Sequence, residues 1–177
     1  YLDRHPDQRD YGAAAAYHRL EAQLALGNAD AAVAEFEGLI TNDAPDNWIS
    51  PAAFALFQHF RARADALGGD ERADALTEAV KYLARSNDAA DRPTWQNLTQ
   101  EARLRLELEE PSTAATILEG VIDRFGDDEG FQGSPEFFAK LDLVEAYLEQ
   151  DKTGVAAGLI DELKAQRPNN LRVKLFF

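Results

Sequence analysis

Cysteine and methionine are both absent from this chain of 177 residues. Without a thiol there is no disulfide frame and no thiolate metal site, so cysteine usage leaves the redox compartment open. The chain opens YLDRHPD, with no basic stretch leading into an apolar one. It shows neither a start residue nor a signal peptide, and it reads as an excised piece of a longer protein. Long hydrophobic runs are missing too. Runs such as Tyr11–Tyr17 and Ala52–Leu56 are far below the roughly 20 residues that cross a bilayer, so no direct membrane insertion of this segment is expected. Basic charge is scarce, with 18 Lys and Arg against 32 Asp and Glu, a net charge of −14. Such a surplus repels phosphate backbones and anionic lipid surfaces, which excludes nucleic acid as the expected partner.

The acidic surplus is uneven. Residues 1–50 carry nine acids against three bases and residues 93–133 again nine against three, whereas 51–92 and 134–177 each carry seven against six. Solvated helix faces account for such zones, and electrostatic steering of a basic partner is the functional alternative. With 45% apolar and 28% charged residues, the mixture is that of a chain that folds.

Three stretches can be laid over one another: Ala31–Ile40 (AAVAEFEGLI), Thr113–Ile122 (TAATILEGVI) and Gly154–Leu163 (GVAAGLIDEL). Taking Ala32, Ala114 and Ala156 as equivalent gives steps of 82 and 42, and Ala73 falls midway in the first gap. A period of about 41 is the signature of a solenoid whose units stack in one dimension.

Apolar residues at three-and-four spacing (Ala13, Tyr17, Leu20, Leu24) predict an amphipathic helix from Tyr11 to Leu26. Gly27-Asn28 supplies its stop, and Asp30 an N-cap for a second helix over Ala31–Ile40. The same grammar returns three times. Ser50 as cap and Pro51 at the first position open a helix carrying Phe54, Phe57 and Phe60, and Gly68-Gly69-Asp70 turns it into Glu71–Leu83. Pro93-Thr94 opens Trp95–Leu108, which turns at Glu110-Pro111-Ser112 into Thr113–Phe125. Ser134-Pro135 opens Glu136–Glu149, which turns at Asp151-Lys152 into Thr153–Gln166. The hairpins span about 11–41, 51–85, 94–125 and 135–166. Thr41–Trp48, Ser86–Arg92 and Gly126–Ser134 between them are polar and rich in turn residues. No segment alternates as a strand does, so the class is all-α: a right-handed α-α superhelix of about four antiparallel hairpins, one solenoid over 1–177. Tyr1–Asp7 reads as the tail of an earlier helix with its closing proline. Asn170–Phe177 reads as the first turns of a further one, with Leu175-Phe176-Phe177 a poor cap unless it packs back.

The fourth hairpin resembles a tetratricopeptide repeat. Leu143 and Val144 occupy the paired sites of the first helix, Tyr147 the aromatic site a turn later, and Ala156 the small site where the helices touch. Ile160 and Leu163 follow along the second helix, and Pro168 closes twelve residues after Ala156. The second hairpin is similar through Phe57, Phe60, Gly68 and Ala73, and the first through Gly27, Ala32 and Phe36 with Pro45 near the closing position. The departures are a period about seven longer than the family's 34, and Arg61 and Glu101 where small or apolar residues belong. The opening segment is similar to that of bacterial envelope members, including lipoproteins that assist outer-membrane assembly, which favours periplasm or cell envelope over cytoplasm.

No chemistry stands out beside this. His5, His18 and His59 lie in separate units without a second histidine at i+3 or i+4, so the H-x-x-x-H pair is absent and no metal is expected. There is no G-x-S-x-G elbow and no phosphate loop, so neither catalysis nor a cofactor is expected. Asp127-Asp128-Glu129 and the Asn42-Asp43 and Asp46-Asn47 pairs lack the calcium-loop pattern and read as solvated loops. Most aromatics at helical spacing read as core.

In the family the first helix of each pair lines the inner surface where a peptide lies. The resemblance then places Phe138, Leu141, Glu145 and Leu148 on that surface, with Gln58, Ala62 and Asp65 from the second hairpin. Carboxylates beside apolar patches suit a protein or peptide partner bearing Lys or Arg. The expected function is a non-catalytic interaction scaffold in bacterial envelope assembly. The rival readings are a spacer or self-associating module, or an accessory region of a larger enzyme or transporter.

Overall fold

A computed structural model describes residues 6–176, with the side chains described from Arg9 onward. The chain divides into two compact units, Tyr1–Pro93 and Thr94–Phe177. Unit 1 holds α1 (Pro6–Ala25), α2 (Ala29–Thr41), α3 (Asp46–Ala66) and α4 (Gly69–Ala89). Unit 2 holds α5 (Trp95–Glu107), α6 (Pro111–Phe125), α7 (Ser134–Glu149), α8 (Thr153–Gln166) and α9 (Leu171–Leu175). No strand occurs among the described residues, and no helix of theirs is long and apolar enough to cross a membrane. The class is all-α and built of helical hairpins: α1/α2, α3/α4, α5/α6 and α7/α8 each pair antiparallel, and within each unit the next first helix packs on the pair before it.

The turns repeat at the level of single hydrogen bonds. At the ends of α1, α5 and α7 one residue enters the left-handed region: Gly27 (φ 77°), Glu109 (φ 59°) and Asp151 (φ 58°). The next N–H then donates back to the carbonyl five residues earlier. These bonds are Asn28 to Gln23 at 2.9 Å, Glu110 to Arg105 at 2.8 Å and Lys152 to Tyr147 at 2.9 Å. This closure satisfies carbonyls that a helix end otherwise leaves bare. Asp43 (φ 52°) closes α2 in the same way, with Ala44 donating to Leu39 at 2.9 Å. The α3–α4 turn differs: Leu67 and Gly68 are extended, and the left-handed residue is Gly69 (φ 56°).

In unit 1, Leu20 of α1, Ala32, Phe36 and Leu39 of α2, and Leu56, Phe57 and Phe60 of α3 are buried. Tyr82 of α4 joins the layers, stacked on Phe60 and edge-on to Phe36, both at 5.5 Å between ring centroids. In unit 2, α7 is buried on two sides. Leu143 and Ala146 enter a cluster with Ala102, Ala114 and Leu118 of α5 and α6. Leu141 and Val144 enter a second cluster with Ala156, Ile160 and Leu163 of α8 and Val173 of α9. Phe131, fully buried, plugs the acidic loop before α7 into the first cluster, 5.6 Å from Trp95.

Several expectations are corrected. Ala32, Ala114 and Ala156 are completely buried, but Ala73 is exposed and Ala75 takes the small position in α4. The equivalent alanines are then 32, 75, 114 and 156, with steps of 43, 39 and 42. α3 begins at Asp46, capped by Pro45, so Pro51 lies inside the helix. Ser50 is no cap: its Oγ donates to the Ser86 carbonyl at 3.0 Å while Ser86 Oγ donates to the Ser50 carbonyl at 2.9 Å. That exchange lets α4 run on through Ser86–Ala89, where the composition reads as a loop. Asp30 sits in the first turn of α2 behind Asn28, which makes no side-chain cap bond. Pro6 and Asp7 begin α1, while Tyr1–His5, on which the expected earlier helix falls, lie outside the described residues, as does Phe177. α9 forms as expected after Pro168, with Val173 buried and Phe176 packed on the last hairpin.

Candidate partner-binding surface

The fourth hairpin distributes its four candidates over two environments. Phe138 is 36% exposed and edge-on to buried Phe137 at 5.7 Å. Leu148 is half-buried at the edge of the α7–α8 cluster. Leu141 is completely buried within that cluster and drops out of any surface, because α7 has a second neighbour, α9, on the side where the resemblance implies an open groove. Glu145 reaches solvent with nearly half of its side chain but is not alone: Arg172 Nη2 donates to its Oε2 at 2.8 Å.

Arg172 also reaches inward. Its Nη1 donates to Oδ1 of Asp142 at 2.9 Å, and Arg103 Nε donates to the other oxygen at 2.6 Å. Asp142 is only 3% exposed, so its charge is tolerated because two guanidinium groups answer it. Nearby, burial and then the carboxylates of Glu145 and Glu109 hold the Glu149 carboxyl above its ordinary range. This acidic edge of unit 2, tied down by α9, escapes sequence reasoning. The only signal for it is the i, i+3 spacing of Asp142 and Glu145 on a helix otherwise apolar at its centre.

In unit 1, Gln58, Ala62 and Asp65 all lie exposed on α3. Asp65 pairs at 3.2 Å with Arg61, which accounts for a charge at a site where the family resemblance implies a small residue. Glu101, the other misfit, is buried and answered at 3.2 Å by Arg105, which also holds Glu110 at 2.6 Å.

Nearer the start of α3, Trp48 Nε1 donates to Asp10 Oδ1 of α1 at 2.5 Å, and its ring stands 5.7 Å from that of Tyr17. Tyr17 donates to Glu21 at 2.8 Å, and His18 lies 3.0 Å from the same carboxylate. These bonds keep Glu21 below the ordinary carboxylate range. By sequence Trp48 ends the polar stretch Thr41–Trp48, yet Asp10 and Tyr17, seven apart on α1, mark the stripe it meets.

No group of three or more His, Asp or Glu among the described residues could hold a metal. A cleft of about 330 Å³ between α1 and α2 is lined by Gly12, Ala16, Gly38 and Asn42 and closed by Arg19, bound to Glu35 through two bonds of 2.9 and 2.8 Å. Its carboxylate is neutralised, and it presents no nucleophile.

Repeated antiparallel hairpins nested on small residues define a helical-repeat protein. The chain is similar to the crystal structure of a Podosopora anserina protein described as a putative kinesin light chain with nearly identical TPR-like repeats, at 16% identity, over 86% of this chain and 74% of that one, with a TM-score of 0.48. It is similar also to a single-substitution variant of that protein, at 16% identity over 86% and 73%, with a TM-score of 0.45. No protein-family model matches the chain, and no curated protein does.

Proposed function

We propose that residues 1–177 act as one non-catalytic scaffold whose first-helix faces take a polypeptide bearing Lys or Arg. The observation that carries the reading is the pairing of solvent-reaching carboxylates with apolar surface on first helices. Asp65 on α3 is 58% exposed at its side chain, and Glu145 on α7 shares its helix with the partly exposed Phe138 and Leu148. The net charge of −14 favours a basic partner by steering and by rim contacts. Changing Asp65 and Glu145 together to lysine is expected to weaken capture of a basic polypeptide and to flatten its salt dependence while helicity stays intact. Unchanged binding removes these faces from the reading.

The proposed setting is bacterial envelope assembly, on the likeness of the opening segment. Fractionation of cells carrying the full-length protein tests it, and a purely cytoplasmic signal rejects it.

Self-association is supported separately by Leu171 and Leu175 of α9, both more than three-quarters exposed. Light scattering that shows a concentration-dependent dimer, lost in Leu171→Ser/Leu175→Ser, favours that reading over the scaffold.

A further inference from the structure

We propose that Tyr17, Trp48 and the carboxylates of Asp10 and Glu21 form a receptor on unit 1 for a lysine or arginine side chain of a partner polypeptide. The proposal rests on the scaffold reading above and gives it a recognition chemistry.

The two rings sit 5.7 Å apart at 43°, an open angle with His18 at its edge, 5.2 Å from Tyr17 and 6.4 Å from Trp48. Each ring is pinned through its polar rim. The indole N–H is held by Asp10 and the phenol by Glu21, and both rings are only half-buried, so part of their electron-rich surface reaches solvent. A cation within about 6 Å of such faces is drawn by the ring quadrupole, and two carboxylates at the rim add direct attraction.

Both arginines of α1 that the structure describes are engaged toward α2: Arg9 bonds Asp43 and Arg19 bonds Glu35. Other rings carry an internal cation: Lys81 lies over Tyr82, Arg124 over Phe125, Lys152 over Tyr147 and Arg167 over Phe137, at 4.4 to 5.7 Å. Among the described residues, none stands over Tyr17 or Trp48. The patch lies in a stretch, residues 1–50, with nine acids and three bases, which selects a basic occupant over an apolar one.

The test uses the full chain with Trp95→Phe, so that Trp48 is the sole tryptophan. Its emission is titrated with hexa-arginine and, as the neutral isostere, hexacitrulline. Saturable change with hexa-arginine alone is expected. Tyr17→Leu should weaken it about fivefold, and so should a tetrafluorinated tryptophan at position 48, which keeps the shape but empties the ring face. Equal affinity within about twofold across these chains overturns the proposal. So does equal binding of hexacitrulline, which would mark an apolar pocket, or an emission change with protein concentration alone, which would mark a second copy. Weakening by Asp65→Lys/Glu145→Lys but not by Tyr17→Leu sinks this receptor and leaves the scaffold standing. Absence of hexa-arginine binding in every chain sinks both.

Discussion

Asp142 of α7 accepts a 2.6 Å hydrogen bond from Arg103 of α5, from a position that is 3% exposed. The arginine is half exposed, and the second donor, Arg172 of α9, is more than a third exposed. Solvent can therefore recover either arginine, but not the carboxylate. Asp142→Ala is expected to cost about 1–2 kcal/mol, because it removes the buried charge together with its bonds. Arg103→Ala/Arg172→Ala should cost more, about 3 kcal/mol, because the carboxylate is then stranded. Urea denaturation of the three chains checks the order, and the reverse order rejects this account of the network.

The left-handed turn residues offer stabilisation where glycine is missing. Glu109 (φ 59°) and Asp151 (φ 58°) hold a conformation that an L-residue adopts at a cost of about 1 kcal/mol, and Gly27 takes the same role free of it. Glu109→Gly is expected to stabilise by about 0.5–1 kcal/mol and Asp151→Gly by less, since Asp tolerates this region better than Glu. Gly27→Ala should destabilise by about 1 kcal/mol. Shifts in thermal midpoint measure all three.

Tyr147 titrates late. Burial, and then its 2.8 Å bond to Glu119, push its phenol up to about 12 from the ordinary 10. The folded state thus favours the protonated phenol. Its contribution to stability is full below pH 10 and is lost as pH rises from there through about 12. Burial also raises Tyr17 and Tyr82, so absorbance at the phenolate band should show a late phase that includes Tyr147, and Glu119→Gln should shift part of that phase to lower pH.

Helix pairing was legible in the sequence because it is local. Apolar spacing of three and four, with turn residues at fixed offsets, located all four hairpins and the start of α9. The errors came where a distant partner decided the outcome. Ser50 reads as a cap beside Pro51, but Ser86, thirty-six residues on, binds it and carries both helices past their local stops. Ala73 fits the period as well as Ala75 does, and only packing against α3 chooses between them. Leu141 falls on the family's open face, yet α9 closes over it through Val173. The cluster of Trp48 with Asp10 and Tyr17 joins two helices whose mutual rotation no periodicity specifies.

The most direct measurement is denaturant unfolding of Ala114→Leu and Ala156→Leu beside Ala73→Leu. The hairpins nest through small side chains: Ala114 and Ala156 are fully buried, while Ala73 faces solvent. Leucine at either buried site is expected to cost about 1–3 kcal/mol, and leucine at 73 less than about 0.5 kcal/mol. Equal, small effects at all three positions would contradict the nesting on which the scaffold depends.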